Sequence, residues 1–156
     1  MCATACLLLG SGTTPHAAVT FGCQVSATAI TFGTYNPLNA GGTVAAGSWA
    51  VICNATGPGS ATVAGTLSLS TGYSGNYAAR YMLSGANRLY YNIYLTPGYA
   101  QIIGNGSAGT YAPTATGTVT AGHAYQVSGT MYGLVPAAQD VAPGSYVDSI
   151  VVTVTY

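Results

Sequence analysis

This sequence predicts an all-β fold, and three observations carry that expectation. Ile150, Val152, Val154 and Tyr156 fall on alternate positions among Val151, Thr153 and Thr155, the period of two that marks a strand with one buried face. The chain is rich in Gly, Ala, Ser, Thr and Tyr and lacks Lys and Glu. Strong helix formers other than Ala are therefore scarce, while Thr, Val and Tyr suit pleated surfaces. Turn signals recur along the chain with no amphipathic helix between them, which favours a β-sandwich over a barrel. The 156 residues suffice to bury a core, and no linker or internal repeat divides them, so one domain is expected.

Residues 1–18 read as a signal peptide, whole or truncated, or as an N-terminal extension, with the domain over 19–156. Leu7-Leu8-Leu9 gives a short apolar core, and Ala17-Ala18 offers small residues for cleavage. No basic residue precedes that core, however, and Pro15 or His16 would fall at the −3 site. Val19, Phe21, Cys23 and Val25 alternate as a first strand, which Ala29 to Tyr35 continues until Asn36-Pro37 breaks it. Strands are expected at Ser48 to Cys53 and Thr62 to Ser70, with Thr56-Gly57-Pro58-Gly59 as the turn between them. Leu89, Tyr91, Ile93 and Leu95 alternate with Tyr90, Asn92, Tyr94 and Thr96 up to Pro97-Gly98. Further strands fit Gly117 to Thr120 and Tyr125 to Leu134. Pro136 and Pro143-Gly144 precede a last strand from Tyr146 to Tyr156.

Charge excludes several classes of function. Arg80, Arg88, Asp140 and Asp148 are the only formally charged side chains, and they cancel. Nothing in that balance attracts nucleic acid or an anionic membrane surface, and no apolar run is long enough to span a bilayer. Without the charges that keep sheet edges apart, the free monomer is expected to be poorly soluble and to self-assemble. The last strand sharpens the point, because a strand needs a partner on each side or becomes a sticky edge. What supplies the missing partner is the functional question.

Catalytic chemistry finds little to stand on. His16 and His123 are far apart, and two acidic side chains make a metal site hard to assemble. Asp140 and Asp148 lack neighbours that would tune them as an acid–base pair. No G-x-S-x-G elbow singles out a nucleophile for His123. Gly104 to Gly109 matches G-x-G-x-x-G, but Thr110-Tyr111-Ala112-Pro113 cannot open the helix that such a phosphate loop requires. The sequons at Asn54 and Asn105 are what chance yields in a chain this rich in Ser and Thr. No enzyme, metal or cofactor is expected. Cys2 and Cys6 lie in the signal-like segment, whereas Cys23 and Cys53 lie in strand-like sequence. With no CxxC pair or His cluster to favour zinc, a disulfide between Cys23 and Cys53 is expected, stabilising by about 3–4 kcal/mol in an oxidising compartment. Of the thirteen tyrosines, Tyr91 belongs to an inward face, while Tyr73, Tyr77, Tyr90 and Tyr94 are candidates for exposed contact.

These residues form an ordered series that resembles the spore coat protein U domain. Cys23-Gln24-Val25-Ser26-Ala27-Thr28 with Phe32-Gly33-Thr34-Tyr35-Asn36-Pro37 resembles its opening, and Cys53 in Val51-Ile52-Cys53-Asn54 its second cysteine. Arg80-Tyr81-Met82 with Leu89-Tyr90-Tyr91-Asn92-Ile93-Tyr94 resembles its central segment, and Gly144-Ser145-Tyr146-Val147-Asp148 through Tyr156 its closing strand.

The resemblance covers about residues 19–156. It implies an incomplete immunoglobulin-like β-sandwich completed by a donated strand: a subunit of archaic chaperone–usher pili, exported through the periplasm to the cell surface and supporting adhesion and biofilm formation. The implied partners are neighbouring subunits, a periplasmic chaperone and an outer-membrane usher. Ile150, Val152, Val154 and Tyr156 would then border the acceptor groove. A donor segment would lie before Cys23, with Leu7, Leu9, Val19 and Phe21 as its candidate apolar plugs. That segment is short if residues up to 16 or 17 are removed, which leaves a degenerate donor or an acceptor-only subunit. A self-contained secreted coat or adhesin-type module, completing its own sandwich, is the alternative.

Overall fold

The longest strand comes from the alternation of Val, Ala, Trp and Ile between residues 43 and 56. A computed structural model describes residues 19–156; Leu7, Leu9, Cys2, Cys6, His16 and the signal-like segment lie outside the described residues. Eight strands follow one another: β1 (Thr20–Ala27), β2 (Thr43–Thr56), β3 (Ser60–Leu69), β4 (Arg80–Ser84), β5 (Asn87–Tyr94), β6 (Thr114–Thr120), β7 (Tyr125–Val135) and β8 (Val152–Thr155). Two short 3-10 turns, Gly72–Ser74 and Tyr77–Ala79, precede β4, and the described residues contain no α-helix.

The strands form two sheets. One has the order β1-β2-β7-β5-β4 and the other β6-β3-β8, and every ladder within them is antiparallel. Alternate residues of the two inner faces meet in one core, in which Trp49, Val51 and Met131 from the larger sheet pack with Val63, Leu67 and Val119 from the smaller. The fold is a β-sandwich. Its register places Cys23 directly opposite Cys53, and the two are joined by a disulfide that ties β1 to β2.

Two segments expected as strands differ. Ala29 to Tyr35 belongs to no ladder, and Gly33 in its middle has a φ of 70°. Ile30 and Phe32 point inward instead, to where a Cβ on Gly133 would collide with both, and the Phe32 ring meets Tyr91 edge-on at 5.8 Å. The closing stretch from Tyr146 to Tyr156 is not one strand either. Val147 exchanges main-chain bonds with Leu83 at the edge of β4, whereas Val152–Thr155 pairs with β3 in the other sheet. The chain crosses between the sheets at Asp148, whose carboxylate accepts from the Tyr73 and Ser149 amides at 2.9 and 2.7 Å and from the Tyr91 hydroxyl at 2.7 Å. Satisfying that carboxylate takes the backbone off the ladder for several residues.

Candidate functional site

Two sheet edges face the same side of the molecule. β1 ends the larger sheet and β8 ends the smaller. At one end they close on each other, with the Phe21 and Tyr156 rings 5.8 Å apart. Toward the other end they part into a cleft of about 1250 Å³. Ile30, Phe32 and Tyr35 form one wall, Tyr146, Ile150 and Val152 the other, and Met82, Tyr91 and Met131 lie on its floor. Typical small-molecule sites measure about 300–1,000 Å³, so this cleft is better matched to an extended segment of chain.

The β8 wall is built by simple alternation. Ile150, Val152 and Val154 are half-buried against the core, while Val151 is 60% exposed. Tyr156, expected among the groove residues, is 53% exposed and stands at the closed end beside Phe21. β8 pairs with β3 along one edge only, and among the described residues no strand pairs with the other. Its main-chain donors and acceptors on that side are open to a further strand.

A buried polar cluster fixes the floor and the β8 wall. Arg80 is fully buried, and burial lowers its guanidinium pKa from the usual value while Tyr91, Tyr77 and Asp148 oppose that shift. Three neutral oxygens receive its protons: the Ser70 carbonyl from Nε and Nη2, the Ile103 carbonyl from Nη2 at 2.8 Å, and Asn92 Oδ1 from Nη1 at 2.7 Å. The Tyr77 ring lies 5.1 Å from the guanidinium carbon. Burial, reinforced by the hydrogen bond to Asp148, raises the Tyr91 hydroxyl far above its ordinary range. Gly72 is required beside this cluster, because a Cβ there would collide with the Asp148 carboxylate.

The remaining expected residues are spread out. Tyr73 and Tyr90 are exposed, at 52% and 44%. Tyr77 and Tyr94 are half-buried, the first under Arg80 and the second edge-on to Tyr99 at 5.5 Å. Phe21 is engaged in its own domain, opposite Ala55 in β1–β2, and Val19 immediately precedes that strand. Among the described residues no three His, Cys, Asp or Glu side chains gather as metal ligands, and no helix is long and apolar enough to cross a membrane. Sequence reasoning missed the wall formed by Ile30, Phe32 and Tyr35. The apolar residues at 30 and 32 carry a signal for it, but their alternation equally fits a paired strand.

A family model described as the Spore Coat Protein U domain matches residues 11–153. No curated protein matches the chain. Among solved structures, the chain is similar to one in a chaperone–tip adhesion subunit pre-assembly complex from the archaic chaperone-usher Csu pili of Acinetobacter baumannii. The identity is 20% and the TM-score 0.54, over 88% of this chain and 40% of that one. The likeness is one of fold, and this chain spans well under half the length of the solved one.

Proposed function

The chain belongs to the Spore Coat Protein U domain family, and from that membership we propose that it is a structural, non-enzymatic subunit of a surface pilus assembled by strand donation. One observation carries the reading: the open cleft of about 1250 Å³ between residues 27–35 and the closing segment, flanked by the unpaired edge of β8. A donated strand would pair its backbone with β8 and drop alternate side chains between the sheets, so main-chain bonds give affinity and pockets give register. Ile150 and Val152 line the cleft it would enter, and Val154 follows on the same half-buried face outside that lining. In transit through the periplasm a chaperone would supply that strand, a role supported by the chaperone–subunit complex in which the similar solved structure occurs, and at an outer-membrane usher the next subunit would replace it. Adhesion and biofilm formation would follow from the filament at the cell surface.

Material sheared from cells tests this, run unheated and heated in SDS and probed for this chain. A ladder of multimers that collapses to one band on heating is expected. A single monomer band in both lanes would overturn the proposal in favour of a self-completed module.

A further inference from the structure

Asn105 is the one asparagine in the chain that glycine follows; every other precedes a residue with a side chain. It stands at an exposed loop tip, Asn105 to Gly109, whose base is fixed. Ile103 and Gly104 are buried. The Gly104 amide donates to the Tyr111 carbonyl at 2.9 Å, and the Gly104 carbonyl accepts from the Leu69 amide at 3.1 Å. On the other side Thr110 donates twice to the Ser107 carbonyl, from its amide at 2.9 Å and its hydroxyl at 2.7 Å.

Within that frame the Asn105 side chain is held by its oxygen. Oδ1 accepts from the Ser107 amide at 3.0 Å and from the Ser107 hydroxyl at 2.6 Å. The ring closed by the amide bond contains both the Asn105 Cγ and the Gly106 nitrogen, so it keeps the two close. Two donors on a carbonyl oxygen polarise its carbon. They also stand ready for the negative charge that this oxygen gains when a nucleophile adds to the carbon. Gly106 puts no side chain in the way, and its φ of 84° disfavours one. Among the described residues no main-chain acceptor takes the Gly106 N–H.

We propose that Asn105 is a self-modification site, at which the Gly106 main-chain nitrogen attacks the Asn105 side-chain carbonyl carbon. The N–Cγ bond forms as the nitrogen gives up its proton to water, and Nδ2 takes a proton and leaves as ammonia. Water then opens the five-membered imide at either carbonyl, giving aspartate or its β-linked isomer. No electrons are transferred, and water is the only co-reactant. Ser107 supplies both donors to the developing oxyanion. The reaction adds one carboxylate to a chain whose formal charge is zero. Each chain therefore gains with age a repulsive charge on a surface that has almost none, and the buried base of the loop confines the change to its tip. The site does not depend on strand acceptance.

The purified full chain, held at neutral pH and sampled over weeks, tests this. Peptides are weighed for the exchange of a side-chain amide for an acid, and the isomer is detected by labelling with an isoaspartyl methyltransferase. Conversion is expected at Asn105 ahead of every other asparagine. Ser107→Ala should slow it about threefold to tenfold, the span of one neutral hydrogen bond, and Ser107→Thr, which keeps a hydroxyl, should restore it. In urea, where the loop is lost, wild type and Ser107→Ala should react alike. A folded chain in which Asn105 stays intact would overturn the proposal. So would a folded Ser107→Ala chain that reacts as fast as the wild type, or a difference between the two that persists in urea.

Discussion

Arg80 donates twice to the carbonyl oxygen of Ser70, through Nε at 3.2 Å and Nη2 at 2.8 Å. Ser70 in turn holds the closing segment. Its amide donates to the Val151 carbonyl at 3.0 Å, and its hydroxyl accepts from the Val151 amide at 2.9 Å. A buried cation in one sheet thus anchors, through one residue, the wall of the cleft in the other. The arrangement keeps the β8 side of the cleft rigid while its outer edge stays free.

Replacing Arg80 by Met should therefore destabilise the domain by about 3 kcal/mol or more, because the buried Ser70 and Ile103 carbonyls lose the guanidinium as donor and Asn92 Oδ1 keeps only the Ile93 amide. Lys should not restore it, since a single ammonium cannot reproduce the planar fork. Urea unfolding of the purified domain measures both, and a wild-type midpoint for Arg80→Lys would contradict the geometry.

Tyr91→Phe removes the hydrogen bond to the Asp148 carboxylate and should cost about 1.5–3 kcal/mol at neutral pH. Its pH dependence has a definite sign. The folded-state pKa of Tyr91 is raised by burial, so the unfolded chain releases this proton near pH 10 while the folded one retains it. Stability is complete below about pH 10 and falls above it. Comparing unfolding between pH 8 and 11, the decline should be shallower in Tyr91→Phe than in the wild type.

Cys23→Ser or Cys53→Ser should cost about 3–4 kcal/mol, the loop-closure contribution of a bridge spanning 30 residues. Less folded protein from an oxidising compartment should accompany the loss. Equal melting temperatures for wild type and variant under oxidising conditions would show that the bridge contributes nothing.

A charge on the cleft wall should separate strand acceptance from folding. Val152→Asp puts a carboxylate where an incoming strand must pack, whereas Val151→Asp places it on the exposed side of the same segment. Polymer in sheared material should vanish for Val152→Asp and persist for Val151→Asp, with folding of each checked by circular dichroism. Equal loss in both would remove the cleft from the assembly route.

Deleting residues 1–18 spares β1 and the contact of Phe21 with Tyr156. If those residues carry the donor segment, the shortened chain should still accept a strand peptide but should form no SDS-resistant ladder by itself.

Local alternation was enough to locate most strands and to place Cys23 and Cys53 in strands that could be bridged. It also marked Ile150, Val152 and Val154 as one face, because the side-chain period of a strand is a property of the chain alone. The ordered cysteine, arginine and tyrosine segments further identified the family. Pairing is different, since it depends on which distant segment lies alongside. Nothing in the alternation distinguishes the stretch at Ile30 and Phe32, which packs without a ladder, from β1, which has one. Nor does local sequence show that Asp148 diverts the closing segment from one sheet to the other. The burial of Arg80 among neutral oxygens, and the unpartnered indole of Trp49, were likewise decided only when strands far apart in sequence packed into one core. Long-range packing sets which polar groups find partners, and among the described residues it leaves one edge of β8 unpaired and the Trp49 indole without an acceptor.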